Sequence, residues 1–126
     1  MSITRPILGS TDFDPMSDKD SGFAQGKTFW HTRTLINAVQ DQSCVKFKHY
    51  LRSCHFHNYE KSLSPLQMAH EFKRIKNADL KFPIILCPWG EVIDGAHRIA
   101  KALVEKRDWV WAYRLQEMPK PDEEGR

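Results

Sequence analysis

Apolar and polar positions change their period several times along the chain, and each change predicts an element. In 28–40, Leu35, Ile36 and Val39 favour a short helix, although the segment is ambiguous with a strand. Residues 44–51 alternate, with Val45, Phe47 and His49 set against Lys46, Lys48 and Tyr50, which predicts a half-buried strand. Segment 64–76 carries the best-marked helix. Ser64 stands as N-cap, Pro65 at the first helical position and Gln67 where a capping box needs it. Leu63 and Met68 bracket that start as a hydrophobic staple, and Leu66, Ala69, Phe72 and Ile75 give an apolar face. The wholly apolar run 82–87 predicts a buried strand, Pro88-Trp89-Gly90 a turn, and 91–93 the returning strand. A second helix is predicted over 95–106, buried through Ala96, Ile99, Ala102 and Leu103, and 109–115 alternates again as a closing strand.

This order of elements predicts one small α+β domain with a mixed sheet, spanning 27–117. The stretch 1–26, rich in Ser, Asp, Pro and Gly, reads as an irregular lead-in that adds little to stability, and 118–126 as an acidic tail.

Composition narrows the class. At 126 residues, with 40% hydrophobic and 28% charged, the chain suits a globular domain, and no apolar run reaches the roughly 18–20 residues of a membrane helix. The start has no basic flank ahead of an apolar stretch, so a secretory signal is not expected. Three cysteines are too few for a disulfide scaffold, and a reducing, cytoplasmic setting is expected. The net charge of +3 conceals a segregation: 27–76 carries nine bases against three acids and five of the six histidines, while 1–26 and 117–126 each sum to −2. A basic middle suits a phosphate-bearing partner, nucleotide or nucleic acid; the plain alternative is a solvated basic face.

Candidate chemistry concentrates at Asp94-Gly95-Ala96-His97-Arg98, where a strand gives way to a helix. Asp94 is placed to cap the helix, and Gly95 to let a ligand approach the backbone. The first amides of a helix lack internal partners and carry the positive end of its dipole. Cations in that first turn, His97 and Arg98, oppose the dipole unless an anion joins them, so the group has the makings of a phosphate site. The competing account makes His97 and Arg98 solvated surface residues and Asp94 a cap only. Arg98 is expected opposite the Ile99 and Leu103 face, so that its loss would leave no cavity.

The run Pro83-Ile84-Ile85-Leu86, a turn, then Glu91-Val92-Ile93-Asp94-Gly95-Ala96-His97-Arg98-Ile99-Ala100-Lys101-Ala102-Leu103 resembles the ParB/sulfiredoxin-like superfamily, with a preceding helix and a closing strand in matching places. The resemblance covers 59–115, about half the chain. It implies a nucleotide held by the loop and helix N-terminus, with Gly95, Ala96, His97 and Arg98 on the phosphates. Sulfiredoxins carry their catalytic cysteine where Ala96 stands, and ParB proteins use Gly-Glu-Arg-Arg, so neither activity is implied. The Asp-Gly-His-His-Arg of the free serine kinases is the nearest wording, with Ala96 in place of the first histidine. By that resemblance Glu60, ahead of the capped helix, takes the place of a general base; Asp94 is the carboxylate expected to hold Mg²⁺ or orient the acceptor. An ion pair with Lys61 or Arg52 is the simpler role for Glu60.

The leading expectation is therefore NTP-dependent phosphoryl transfer or NTP hydrolysis, with Mg²⁺ and ATP or another NTP. The alternative is a non-enzymatic regulator binding nucleic acid, DNA included, or protein, with Lys46, Lys48, Arg52, His55, His57 and Lys61 as substrate or nucleic-acid contacts. Two other patterns carry less. Gly26-Lys27-Thr28 lacks the glycine and the preceding strand of a P-loop, and Cys44, His49, Cys54, His55 and His57 lack a standard zinc spacing. Trp89, Trp109 and Trp111, in apolar surroundings, are expected in the core.

Overall fold

Among the described residues, five strands form one mixed sheet, a two-stranded hairpin stands beside it, and three α-helices complete the α+β architecture. The computed structural model describes residues 22–56 and 63–125. In chain order the elements are β1 (Gly22–Gln25), β2 (Thr28–His31), α1 (Thr32–Asp41), β3 (Phe47–Tyr50), β4 (His55–Phe56), α2 (Pro65–Asn77), β5 (Ile84–Leu86), β6 (Glu91–Asp94), α3 (Ala96–Val104) and β7 (Trp109–Arg114). The large sheet runs β3-β7-β5-β6-β4; β7 is antiparallel to β3 and parallel to β5, and β6 is antiparallel to β5 and parallel to β4.

Burial explains why β5 reads as an unbroken apolar run. Ile84, Ile85 and Leu86 are all buried because both faces of this central strand are covered. On one face Ile85, Cys87, Ile93, Tyr113 and Leu115 pack with Leu35, Ile36 and Val39 of α1 and with Trp30. On the other, Ile84, Leu86, Val92, Val110 and Ala112 pack with Ile99 and Ala102 of α3.

Of the expected lead-in, 1–21 lie outside the described residues; 22–26 and the expected acidic tail as far as Gly125 are described, and both pair with the rest of the fold. Gly22–Gln25 pairs in full register with β2, and Phe23 stacks on Trp30 at 5.8 Å. Gly26-Lys27 is the turn of this hairpin, which removes the P-loop reading. At the other end Pro119 O accepts from Trp30 Nε1 at 2.7 Å, and Phe29 pairs with Glu123. Asp122 completes the start of α1, whose N-cap His31 supplies no side-chain cap: Oδ2 accepts from His31 N at 2.8 Å and Oδ1 from Thr34 Oγ1 at 3.0 Å. The His31 amide first, then the Thr34 hydroxyl, hold the Asp122 carboxyl below its ordinary pKa.

α2 forms as its caps predict, with Ser64 Oγ accepting from Gln67 N at 3.2 Å and Gln67 Oε1 from Ser64 N at 2.8 Å. Its apolar face is not buried: Leu66 and Phe72 are each 69% exposed, and Ala69 is exposed too. The helix meets α3 through a different side, by Glu71 to His97 and by Lys101 Nζ, which donates to Lys76 O (3.0 Å) and Ala78 O (2.5 Å). An ammonium at the last carbonyls suits a helix C-terminus, and Ile75, one turn from Glu71, is the half-buried member of the apolar face.

Candidate functional site

The β6–α3 junction lies where it was expected, with Asp94 ending β6 and α3 beginning at Ala96. Asp94 does not cap the helix. The N-cap is Gly95, in the left-handed region at φ +107°, with no side chain to offer. Gly95 is required by packing as well as by φ: a Cβ there would meet Ile84 Cγ2 at 2.4 Å and an Arg98 terminal nitrogen at 3.1 Å. Its contact is thus with β5, not with an open ligand face.

With Gly95 as cap, the amides of Ala96, His97 and Arg98 keep no side-chain partner at this end of α3. The two basic side chains of the first turn each have a carboxylate partner. Arg98 Nη2 donates to Asp94 Oδ2 at 2.9 Å, and His97 Nε2 lies 2.6 Å from Glu71 Oε2, bringing α2 to the site. Glu71 is a site residue that the motif did not reveal; only its place on the capped helix ahead of the loop hinted at it.

Arg98 departs furthest from expectation. It is 6% exposed, turned in beside Ile99 and Ala102, whereas Leu103 is 58% exposed. The α3 seam is formed at 98, 99 and 102, so removing Arg98 does leave a cavity. Its Nε is buried with no hydrogen-bond partner. A buried donor left unbonded costs about 1–3 kcal/mol, so this guanidinium retains capacity for an acceptor.

Of the other nominated residues, those described in full, Lys46, Lys48 and Arg52, are not gathered here. Glu60, His57 and Lys61 lie outside the described residues, as does the side chain of His55, whose backbone in β4 pairs with Glu91. Lys46, Lys48 and Arg52 belong to β3 and its flanks, at the opposite edge of the sheet. Two strands separate β3 from β6, a span of about 14 Å at the usual strand spacing. Lys46 Nζ sits 5.0 Å above the Trp111 ring, Lys48 Nζ 4.6 Å above Trp109, and Arg52 5.8 Å from Tyr50. The core placement expected for three tryptophans fails: Trp89 is exposed and Trp109 and Trp111 are half-buried, while Trp30 is the one in the core.

The cysteines are free, and burial raises the Cys44 and Cys54 thiols. Among the described residues no three His, Cys, Asp or Glu side chains converge as a metal site. No helix among them is long and apolar enough to cross a membrane. Comparison with family models, curated proteins and solved structures finds no match to this chain.

Proposed function

We propose that the chain binds a nucleotide through its phosphates at the start of α3 and uses it for phosphoryl transfer or NTP hydrolysis. The observation that carries this is the pairing of an uncapped helix N-terminus with a buried guanidinium that has an unbonded Nε. Free amides at the positive end of a dipole, with Arg98 fixed by Asp94 and His97 fixed by Glu71, form a rigid donor-rich seat for an anion. Phosphoryl transfer needs mainly such positioning and charge neutralisation.

In this scheme the amides of Ala96 and His97 take phosphate oxygens, and Arg98 and His97 neutralise their charge. Gly95 sets the turn that aims the amides. Asp94 is the carboxylate that would hold a Mg²⁺ carried by the phosphates, sharing its charge with Arg98. Glu60 is assigned as the base that takes a proton from the attacking hydroxyl or water.

A thermal-shift screen with ATP, ADP, CTP and GTP, each with Mg²⁺, tests binding first. A ligand at a hundred times its Kd stabilises the fold by about 2.7 kcal/mol. No shift with any nucleotide refutes the proposal. Phosphate release or transfer tests the second half: Glu60→Ala keeps the shift and loses turnover.

A further inference from the structure

From the far edge of the sheet we infer a second site: a binding surface for single-stranded nucleic acid, built on Trp109 and Trp111. The register creates it. β5 pairs with Ala112, Tyr113 and Arg114, so the first half of β7 has no strand neighbour on that side. Residues 77–81, leading from α2 to β5, pass there instead, and leave a groove of about 620 Å³ lined by both tryptophans, Lys81, Lys101 and Arg107.

The same register arranges the face beside it. Lys48 opposes Trp111 and Tyr50 opposes Trp109, so these four side chains share one side of the β3–β7 ribbon. α1 covers Tyr113 on that side but leaves Trp109 and Trp111 half-buried. Their rings meet edge-on at 4.9 Å, and the lysines lie over them in a diagonal ladder, Lys46 on Trp111 and Lys48 on Trp109.

Alternating aromatic rings and flexible cations are what an unpaired nucleic-acid strand requires: bases stack on the rings while phosphates take the charges. The lysines are exposed, so a base can displace each ammonium from a ring face, and the ammonium then moves to a phosphate. The acids of the groove, Asp79 and Glu105, are engaged with Lys81 at 3.6 Å and Arg107 at 3.2 Å. Lys46, Lys48, Lys81, Lys101 and Arg107 outnumber those two acids, so the balance favours a polyanion. A duplex hides its base faces and cannot use the tryptophans. This surface shares no residue with the α3 phosphate seat and does not depend on it.

The test is fluorescence anisotropy of the full chain with a labelled oligothymidylate of about 15 nucleotides, the matching oligouridylate, the thymidylate–adenylate duplex, and poly-glutamate as a plain polyanion. The surface predicts binding of at least one single strand, tighter than either control and weakening with salt. Lys46→Glu with Lys48→Glu, both exposed, lowers affinity at least tenfold and reduces the slope of log affinity against log salt by about 1.4. Trp109→Leu lowers affinity about fivefold to a hundredfold, the usual loss for one stacked base. Circular dichroism establishes that each variant is folded, and the lysine pair decides the matter if Trp109→Leu is not. The inference is overturned if neither strand binds, if the duplex or poly-glutamate binds as tightly, or if the lysine pair changes nothing. Preference between thymidylate and uridylate then tells DNA from RNA.

Discussion

Removing Arg98 perturbs the fold before it perturbs any ligand. The Arg98 and Asp94 side chains are 7% and 15% exposed and joined at 2.9 Å. Arg98→Ala leaves the Asp94 carboxylate facing the space that the guanidinium vacates beside Gly95. Breaking a buried pair by removing one partner costs about 3–5 kcal/mol, whereas exposed pairs are worth about 0–1. The remaining exposure of Asp94 places this pair somewhat below the buried limit, and we expect a loss of about 2–4 kcal/mol. Asp94→Ala with Arg98→Ala removes both charges and therefore costs less than the two single losses together. Urea denaturation of all four proteins, with the slope m checked for constancy, measures each term. A loss below about 1 kcal/mol for Arg98→Ala, or strict additivity in the double variant, would refute a buried pair at this junction.

Three other consequences follow from the fold. Gly95→Ala is expected to cost about 2–4 kcal/mol, from a positive φ and from collision with Ile84; Gly90→Ala, at φ +91° with open space around it, costs about 1–2, and equal melting shifts would contradict this. The Asp122 carboxyl has its folded pKa below the unfolded value, so its contribution is complete above the unfolded pKa and is lost as pH falls through the folded one. The advantage of the wild type over Asp122→Asn is therefore full near about pH 6 and shrinks toward about pH 2, and an advantage that grows in acid would reverse the sign. Starting the chain at Lys27 removes β1 and uncovers Trp30, and should lower the melting temperature by several degrees, about 4–8 °C per kcal/mol lost; an unchanged melting curve would mean β1 adds nothing.

The parts of this molecule most legible in its sequence are those fixed by neighbouring residues. Ser64, Pro65 and Gln67 specify the start of α2 by bonds within one turn, and the run at Ile84–Leu86 declares a strand covered on both faces. The strand-to-helix step at Asp94 was legible for the same reason. What escaped depends on pairs distant in the chain. Asp122 reaches His31 across 91 positions, and nothing in the composition of the tail reveals it. An apolar stripe on α2 says that a helix forms, not which side it packs, and Glu71 and Lys101 decide that with polar bonds. A seam drawn through Ile99 and Leu103 sets Arg98 outside; a carboxylate four residues earlier gives it a partner inside. The tryptophans of β7 were expected in the core because their neighbours are apolar, but burial follows the length of β5, which stops short of them.

The proposed phosphate seat at α3 is tested most directly by titration calorimetry of ATP, CTP and GTP with Mg²⁺ into the wild type and Arg98→Lys. Lysine keeps a cation beside Asp94 but removes the Nε–H and the fork of donors, and urea denaturation reads any loss of stability separately. At least one nucleotide is expected to bind the wild type, and Arg98→Lys, still folded, to bind it at least tenfold more weakly. Equal affinity in the two proteins, or no heat with any nucleotide, would contradict the seat.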